Sequence, residues 1–269
     1  MLCLRCRTNG AVLPSPHCTL CADAHRLDGR THLDGRRPVP VSGDAVLRSP
    51  AGFGWAVVTL FALVGLADLA GAVLDLRMAG LVDSVTGGDW AAEERWAETE
   101  DVSVWLATFW GPAYLASIVL FLLWFRRTRV NAEVFDPYGH TKARGWAIGA
   151  WFVPVVSLWF PRRIASETWH ASVSPVDRRG TLLLNLWWGT FLLDTVLSNG
   201  STRVLNRAEE LEAIARGYRM VAFSEAFSVV HAVIAVLFVL ALTRRQNTRV
   251  HHPWPPAAPV PGSHAPEKV

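Results

Sequence analysis

Charge is scarce in this chain. Charged residues make up 18% of its 269 positions and hydrophobic residues 51%, with a mean hydropathy of +0.23. Soluble domains carry about 25% charge, so the balance excludes an ordinary soluble domain and a solvated disordered protein. Lysine is nearly absent: Lys142 and Lys268 are lysine and the other 24 of 26 basic residues are arginine. With abundant Ala, Gly and Val, this reads as GC-rich bacterial codon usage rather than as phosphate recognition. The formal net charge of +3 is too small and too scattered for a nucleic-acid binder. Cysteine occurs four times, all between positions 3 and 21, which excludes a disulfide scaffold. The chain also lacks a P-loop, a Rossmann glycine pattern, an H-E-x-x-H helix and a recognisable Ser/His/Asp arrangement. No catalytic residue is assigned, and an enzyme is not the expected reading.

The four cysteines form two C-x-x-C knuckles, Cys3/Cys6 and Cys18/Cys21, separated by eleven residues. Four thiolates at this spacing complete a tetrahedron around one zinc ion, each about 2.3 Å from it. Pro14 and Pro16 suit the return turn, and Arg5 and Arg7 offset the charge of a tetrathiolate. His17 is an adjacent alternative ligand, and a redox dithiol is the alternative chemistry. A site closed by four protein ligands has no open position, so the expected zinc is structural. No apolar run precedes the head, so no signal peptide is expected, and reduced thiolates place the head in the cytoplasm. The expected division is a zinc-ribbon-like head over 1–22, a flexible linker over 23–50, a membrane domain over 51–243 and a disordered Pro-rich tail over 244–269.

Crossing a bilayer takes about 20 apolar residues, and four stretches qualify: 53–76, 103–125, 181–198 and 221–242. A fifth, 146–160, spans only about 22 Å at 1.5 Å per residue and contains Pro154. It is expected to re-enter or to be broken, under cover of the other helices. Four spans place 20 Lys/Arg on the side of the N-terminus and 6 on the other. A spanning fifth stretch reduces that bias to 16 against 10. The larger bias favours four spans with both termini in the cytoplasm. Residues 161–172 read as a surface helix, with Ile164, Ala165, Thr168 and Trp169 on one face. Arg162, Arg163, Glu167 and His170 fall on the other. Of thirteen tryptophans, Trp55, Trp105, Trp124, Trp146, Trp159 and Trp187 fall near span ends and read as interfacial belts.

Two runs carry a resemblance. Residues 123–131 read L-W-F-R-R-T-R-V-N, and residues 145–154 read G-W-A-I-G-A-W-F-V-P, continuing to L-W-F-P at 158–161. With Trp169 and Ala171, these runs resemble the bacterial membrane family known as domain of unknown function 4328. The resemblance covers most of residues 50–243 and extends to a short cysteine-knuckle head. Ser157 stands where asparagine is expected. The resemblance implies a polytopic helical architecture and no particular reaction.

Ionisable residues inside apolar spans are functional candidates because burying them is costly. Asp68, Asp75, Asp194, Glu225 and His231 qualify, and the expected topology puts all four carboxylates in the outer half of the bilayer. Asp68, Asp194, Glu225 and His231 form the candidate intramembrane polar site. Ser224, Ser228 and His231 share one helical face. Pairing of the outermost acids with Arg77, Arg216 or Arg219 is the alternative. Glu167 and His170 form an E-x-x-H spacing and a candidate cytoplasmic-face site. Gly145 and Gly149 have the spacing of a helix-packing face.

The expected fold is therefore an all-α polytopic protein of the bacterial inner membrane, with four transmembrane helices, a re-entrant or broken fifth segment and a small zinc ribbon. The first functional reading is a membrane-anchored adaptor or assembly factor that contacts other proteins through the head. The alternative is a small transporter or ion-coupled sensor using the intramembrane carboxylates and His231. The bilayer is an expected partner, and nucleic acid is not.

Overall fold

The computed structural model describes residues 46–136, 139–173 and 180–251, and the cysteine knuckles lie outside them. Among the described residues all regular structure is helical: α1 (Ala51–Thr86), α2 (Ala92–Phe135), the single turn α3 (Trp146–Gly149), a 3-10 turn (Val156–Leu158), α4 (Phe160–Ala171), α5 (Leu182–Leu205) and α6 (Leu211–His251). Pro50 precedes α1, where its missing N–H costs no helical bond, and Gly87 and Gly88 end it, Gly88 at φ +93°. Glu93 and Glu94 begin α2, where the helix dipole favours acids.

Three helices are long and apolar enough to cross a membrane: α1, α2 and α6. Each extends beyond the apolar run that marks it in the sequence, because polar residues at the ends continue the helix into water. The fourth expected span, 181–198, forms the 24-residue helix α5 but is not among the three. Asn185, Asp194 and Asn199 interrupt its apolar run. The protein is thus an all-helical chain with three membrane-spanning candidates, and α6 is its spine, packing along both α1 and α5 while α2 lies against α1.

Segment 146–160 holds little regular structure. After α3 it turns at Pro154 and Val155, where the Val156 N–H donates to the Pro154 carbonyl at 2.7 Å. Val155 sits at φ 66°, a region that costs a β-branched residue about 1–3 kcal/mol. The two ends of the segment meet again, with the Trp146 and Phe160 rings 5.3 Å apart. Between them Trp151 wedges into the bundle, edge-on to Phe121 and Phe125 of α2 and to Trp187, Trp188 and Phe191 of α5. A Cβ at Gly145 or Gly149 would meet nothing within 4 Å, so this pair does not form the close-packing face its spacing suggests.

Aromatic packing fills this half of the bundle. Phe238 of α6 is sandwiched by Trp187 at 4.4 Å and Trp169 at 5.9 Å, with Trp124 edge-on at 6.1 Å. Trp124 and Trp187 are therefore core residues rather than belt residues. The Trp124 indole N–H is satisfied internally by Thr243 at 3.0 Å, which removes the cost of burying it. Trp55, Trp105 and Trp159 are exposed, as a belt requires. The apolar face expected on 161–172 is buried in α4, while Arg162 and His170 are exposed.

The basic end of the bundle, marked by Arg126, Arg127, Arg244 and Arg245, is held by side-chain amides. Asn131 accepts from the Arg48 N–H at 3.1 Å and donates to the Arg48 carbonyl at 2.8 Å and to Gln246 at 3.0 Å. Gln246 in turn donates to the Thr128 carbonyl and to Ser172 Oγ. Residues 46–50, read as the end of a flexible linker, are thereby fixed to α2 and α6.

Candidate functional site: a polar cluster joining four helices

A second polar group lies within the apolar part of the bundle, beyond the aromatic core. Asp68 of α1 is 8% exposed and accepts the Trp110 indole N–H of α2 at 2.7 Å. Tyr114 stacks on Trp110 with ring centroids 4.8 Å apart. Asp194 of α5 accepts from Ser228 of α6 at 2.6 Å, and Thr190 of α5 meets His231 Nδ1 at 3.0 Å. Ser201 and Ser224 bond at 2.9 Å. The Ser224, Ser228 and His231 face of α6 is thus turned wholly towards α5.

Asp75 and Glu225 close the group from α1 and α6: Glu225 lies against Gly71, one turn before Asp75 on α1, and the two carboxyl groups interact electrostatically. Gly71 makes the approach possible: a Cβ there would lie 2.7 Å from both Glu225 oxygens. Glu225 Oε2 is buried with no hydrogen-bond donor. Asp68 interacts electrostatically with Asp194 and with Glu225, and Asp194 with His231. The four residues of the candidate intramembrane site therefore stand in one electrostatic network, and Asp75 joins them. Pairing with arginine does not neutralise the group: Arg219 ion-pairs with Asp83, nearer the acidic end. Trp110 and Thr190 gave no sequence signal, since an indole and a threonine in apolar helices are ordinary residues.

The candidate cytoplasmic-face pair is rearranged. His170 is exposed and its Nδ1 lies 2.6 Å from the Ser166 carbonyl one turn earlier, not against Glu167. Glu167 instead turns inward, accepting from the Thr141 hydroxyl and N–H at 2.5 and 3.2 Å. His140 Nδ1 lies 3.9 Å from its carboxylate and Arg163 Nε 3.5 Å. Beside it Arg129, 1% exposed, pairs with Glu133, and Arg144 completes the group. The Arg129/Glu133 pair is legible at i, i+4 spacing; His140, in a loop, carries no periodic signal. Among the described residues no three His, Cys, Asp or Glu side chains converge to hold a metal ion. Residues 139–145 thus join α2 to α4, with Arg144 paired to Glu133 of α2 and His140 and Thr141 set against Glu167 of α4.

A family model described as a domain of unknown function, DUF4328, matches residues 90–244, more than half the chain. The chain belongs to the DUF4328 family. No curated protein and no solved structure matches it. The DUF4328 match runs from the approach to α2 into α6 and so contains Asp194, Glu225, His231 and Glu167. Asp68, Asp75 and Gly71 lie in α1, before the matched region.

Burial pushes the Glu167 carboxyl upward, but the neighbouring His140 ring and the hydrogen bonds from Thr141 outweigh it and hold the group below its ordinary value of 4.5. A carboxylate held down stabilises the fold above its unfolded value, and that contribution disappears as pH falls through the folded one. Glu167→Gln should cost about 1.5–3 kcal/mol at pH 7, typical of a charge-assisted hydrogen bond. Thermal unfolding across pH should show the gap between variant and parent closing below about pH 4.5.

Proposed function

We propose that this DUF4328 protein is an integral membrane protein whose bundle carries a proton- or cation-responsive site, acting as an ion-coupled sensor or small transporter. The observation that supports this reading is the seating of Glu225 of α6 against Gly71 of α1, beside Asp75 and in one electrostatic group with Asp68, Asp194 and His231. Acids in an apolar bundle are costly, and arginine pairing does not compensate these. Two neighbouring carboxyl groups have a singly protonated state with one net negative charge and a fully ionised state in which they repel one another. The repelling state is relieved by protonation, by a bound cation or by separation of α1 from α6. Each of these routes converts an ionic change into a change in helix packing.

The test is the full chain reconstituted in vesicles with Asp68→Asn and Glu225→Gln. Either substitution should abolish proton or monovalent-cation flux, or flatten the pH dependence of tryptophan fluorescence, while leaving the thermal unfolding midpoint within a few degrees. Parent-like flux and fluorescence response in both variants would contradict the reading.

A second reading is carried by the cysteine spacing. Cys3, Cys6, Cys18 and Cys21 hold a structural zinc, and the resulting ribbon presents a cytoplasmic surface to other proteins, making the chain a membrane-anchored adaptor. A metal supplies the fold that so short a segment lacks. Residues 46–50, which follow the head and its linker, are bonded to α2 and α6, so a change in helix packing has a route to the head. In this proposal four helices cross the inner membrane, α5 included, with both termini in the cytoplasm. A Cys3→Ser/Cys6→Ser variant matched for membrane abundance should lose both its zinc, read by metal analysis, and its co-purifying proteins. Partner sets unchanged by zinc loss would reduce the head to a structural cap.

A further inference from the structure

The acidic end of the bundle holds an open cleft of about 420 Å³, lined by Asp83 and Thr86 of α1 and by Glu212, Arg216 and Arg219 of α6. The two helices that form it are the two that bear the Asp75–Glu225 pair. Asp75 precedes Asp83 by eight residues and Glu225 follows Arg219 by six. At 1.5 Å per residue the carboxyl pair therefore lies about 9–12 Å below the cleft floor along both helices. Between the two levels Arg77, Met220 and Phe223 face outward, and the residues turned inward are mostly small or apolar. Met78, Ala79 and Val82 on α1 and Ala222 on α6 are 3%, 1%, 0% and 3% exposed.

One ionic contact joins the two walls where the cleft narrows. Arg219 donates to the Asp83 carboxylate, and both side chains are 50% exposed. An exposed pair contributes at most about 1 kcal/mol, so breaking it does not threaten the fold. Its position matters more than its strength, because it ties α1 to α6 on the side of the half-buried carboxyl pair that faces the cleft. Tyr218, next to Arg219 on α6, interacts electrostatically with Asp75 and with Glu100 of α2, and Glu212 and Arg216 add further charge to the cleft wall.

We propose that the cleft is an aqueous vestibule leading to Asp75 and Glu225, and that the Asp83–Arg219 ion pair is its gate, restricting access of water-borne ions to the carboxyl pair. The gate adds an access route to the ion-responsive reading above, yet its test does not depend on that reading. Closed, the ion pair holds the ends of α1 and α6 together over the small-residue seal. Open, the ends part and the vestibule deepens towards Gly71, against which the Glu225 carboxylate is seated.

The experiment is chemical labelling of the full chain in lipid nanodiscs with a water-soluble carbodiimide and an amine nucleophile. Modification of Asp75 and Glu225 is followed by peptide mass spectrometry. Arg219→Gln and Asp83→Asn should each raise the labelling rate several-fold over the parent, and the swap Asp83→Arg/Arg219→Asp should return it to the parental rate. The Asp83→Asn arm separates gating from simple attraction: the reagent is cationic, and freeing Arg219 would slow it on electrostatic grounds alone. Matched unfolding midpoints establish that the variants are folded. Equal rates in parent and both single variants would overturn the gate, as would a swap that labels as fast as the single variants. Gate-dependent labelling beside unchanged flux in Glu225→Gln would leave the vestibule standing and remove the ion-coupled reading instead.

Discussion

A polar group inside an apolar bundle must find its partner on another helix, because lipid offers none. That constraint organises both halves of this molecule. At the basic end Asn131 and Gln246 satisfy each other, the Arg48 backbone and the Thr128 carbonyl in one chain of hydrogen bonds. Further in, Asp68 takes the Trp110 indole and Asp194 the Ser228 hydroxyl. Apart from those to Arg48, which precedes α1, these bonds cross between helices, so the polar residues fix which faces meet and at what register. Apolar contacts alone leave that choice open, since lipid chains are as apolar as leucine.

The two halves differ in how they are filled. Below the polar cluster, the returning segment 146–160 inserts Trp151 between α2 and α5, and the aromatic stack around Phe238 completes the core. In the half bearing the carboxylates no such wedge is present among the described residues, and α1 and α6 approach through Gly65, Gly71 and small neighbours. An aromatic half thus stands beside a half joined by small residues, carboxyl groups and an exposed ion pair. In the proposed function an ionic change at Glu225 moves α1 against α6 towards Asp83 and leaves the aromatic core in place.

Much of this was legible in the sequence. Runs of apolar residues gave the helices α1, α2 and α6, and the cost of burying charge singled out Asp68, Asp194, Glu225 and His231, whose partners Trp110, Ser228 and Thr190 were not legible. The short stretch with Pro154 was recognisable as too brief to cross. Other features were not legible because they depend on contacts between distant elements. Trp124 and Trp187 sit where belts sit, yet α6 supplies Phe238 and Thr243 to bury them. Glu167 and His170 share a helix and a metal-ligand spacing, yet the Thr141 hydroxyl draws Glu167 inward and leaves His170 in the open. Gly71 reads as one glycine among twenty until Glu225 is seen against it.

The central claim is that Asp75 and Glu225 act as one titrating unit across α1 and α6. pH-difference infrared spectroscopy of the protein in lipid tests it through the carboxyl carbonyl band. The account predicts one band that is lost in Asp75→Asn and equally lost in Glu225→Gln, because each group needs the other to share its proton. Two bands that disappear one at a time, each with its own substitution, would show two independent acids and contradict it.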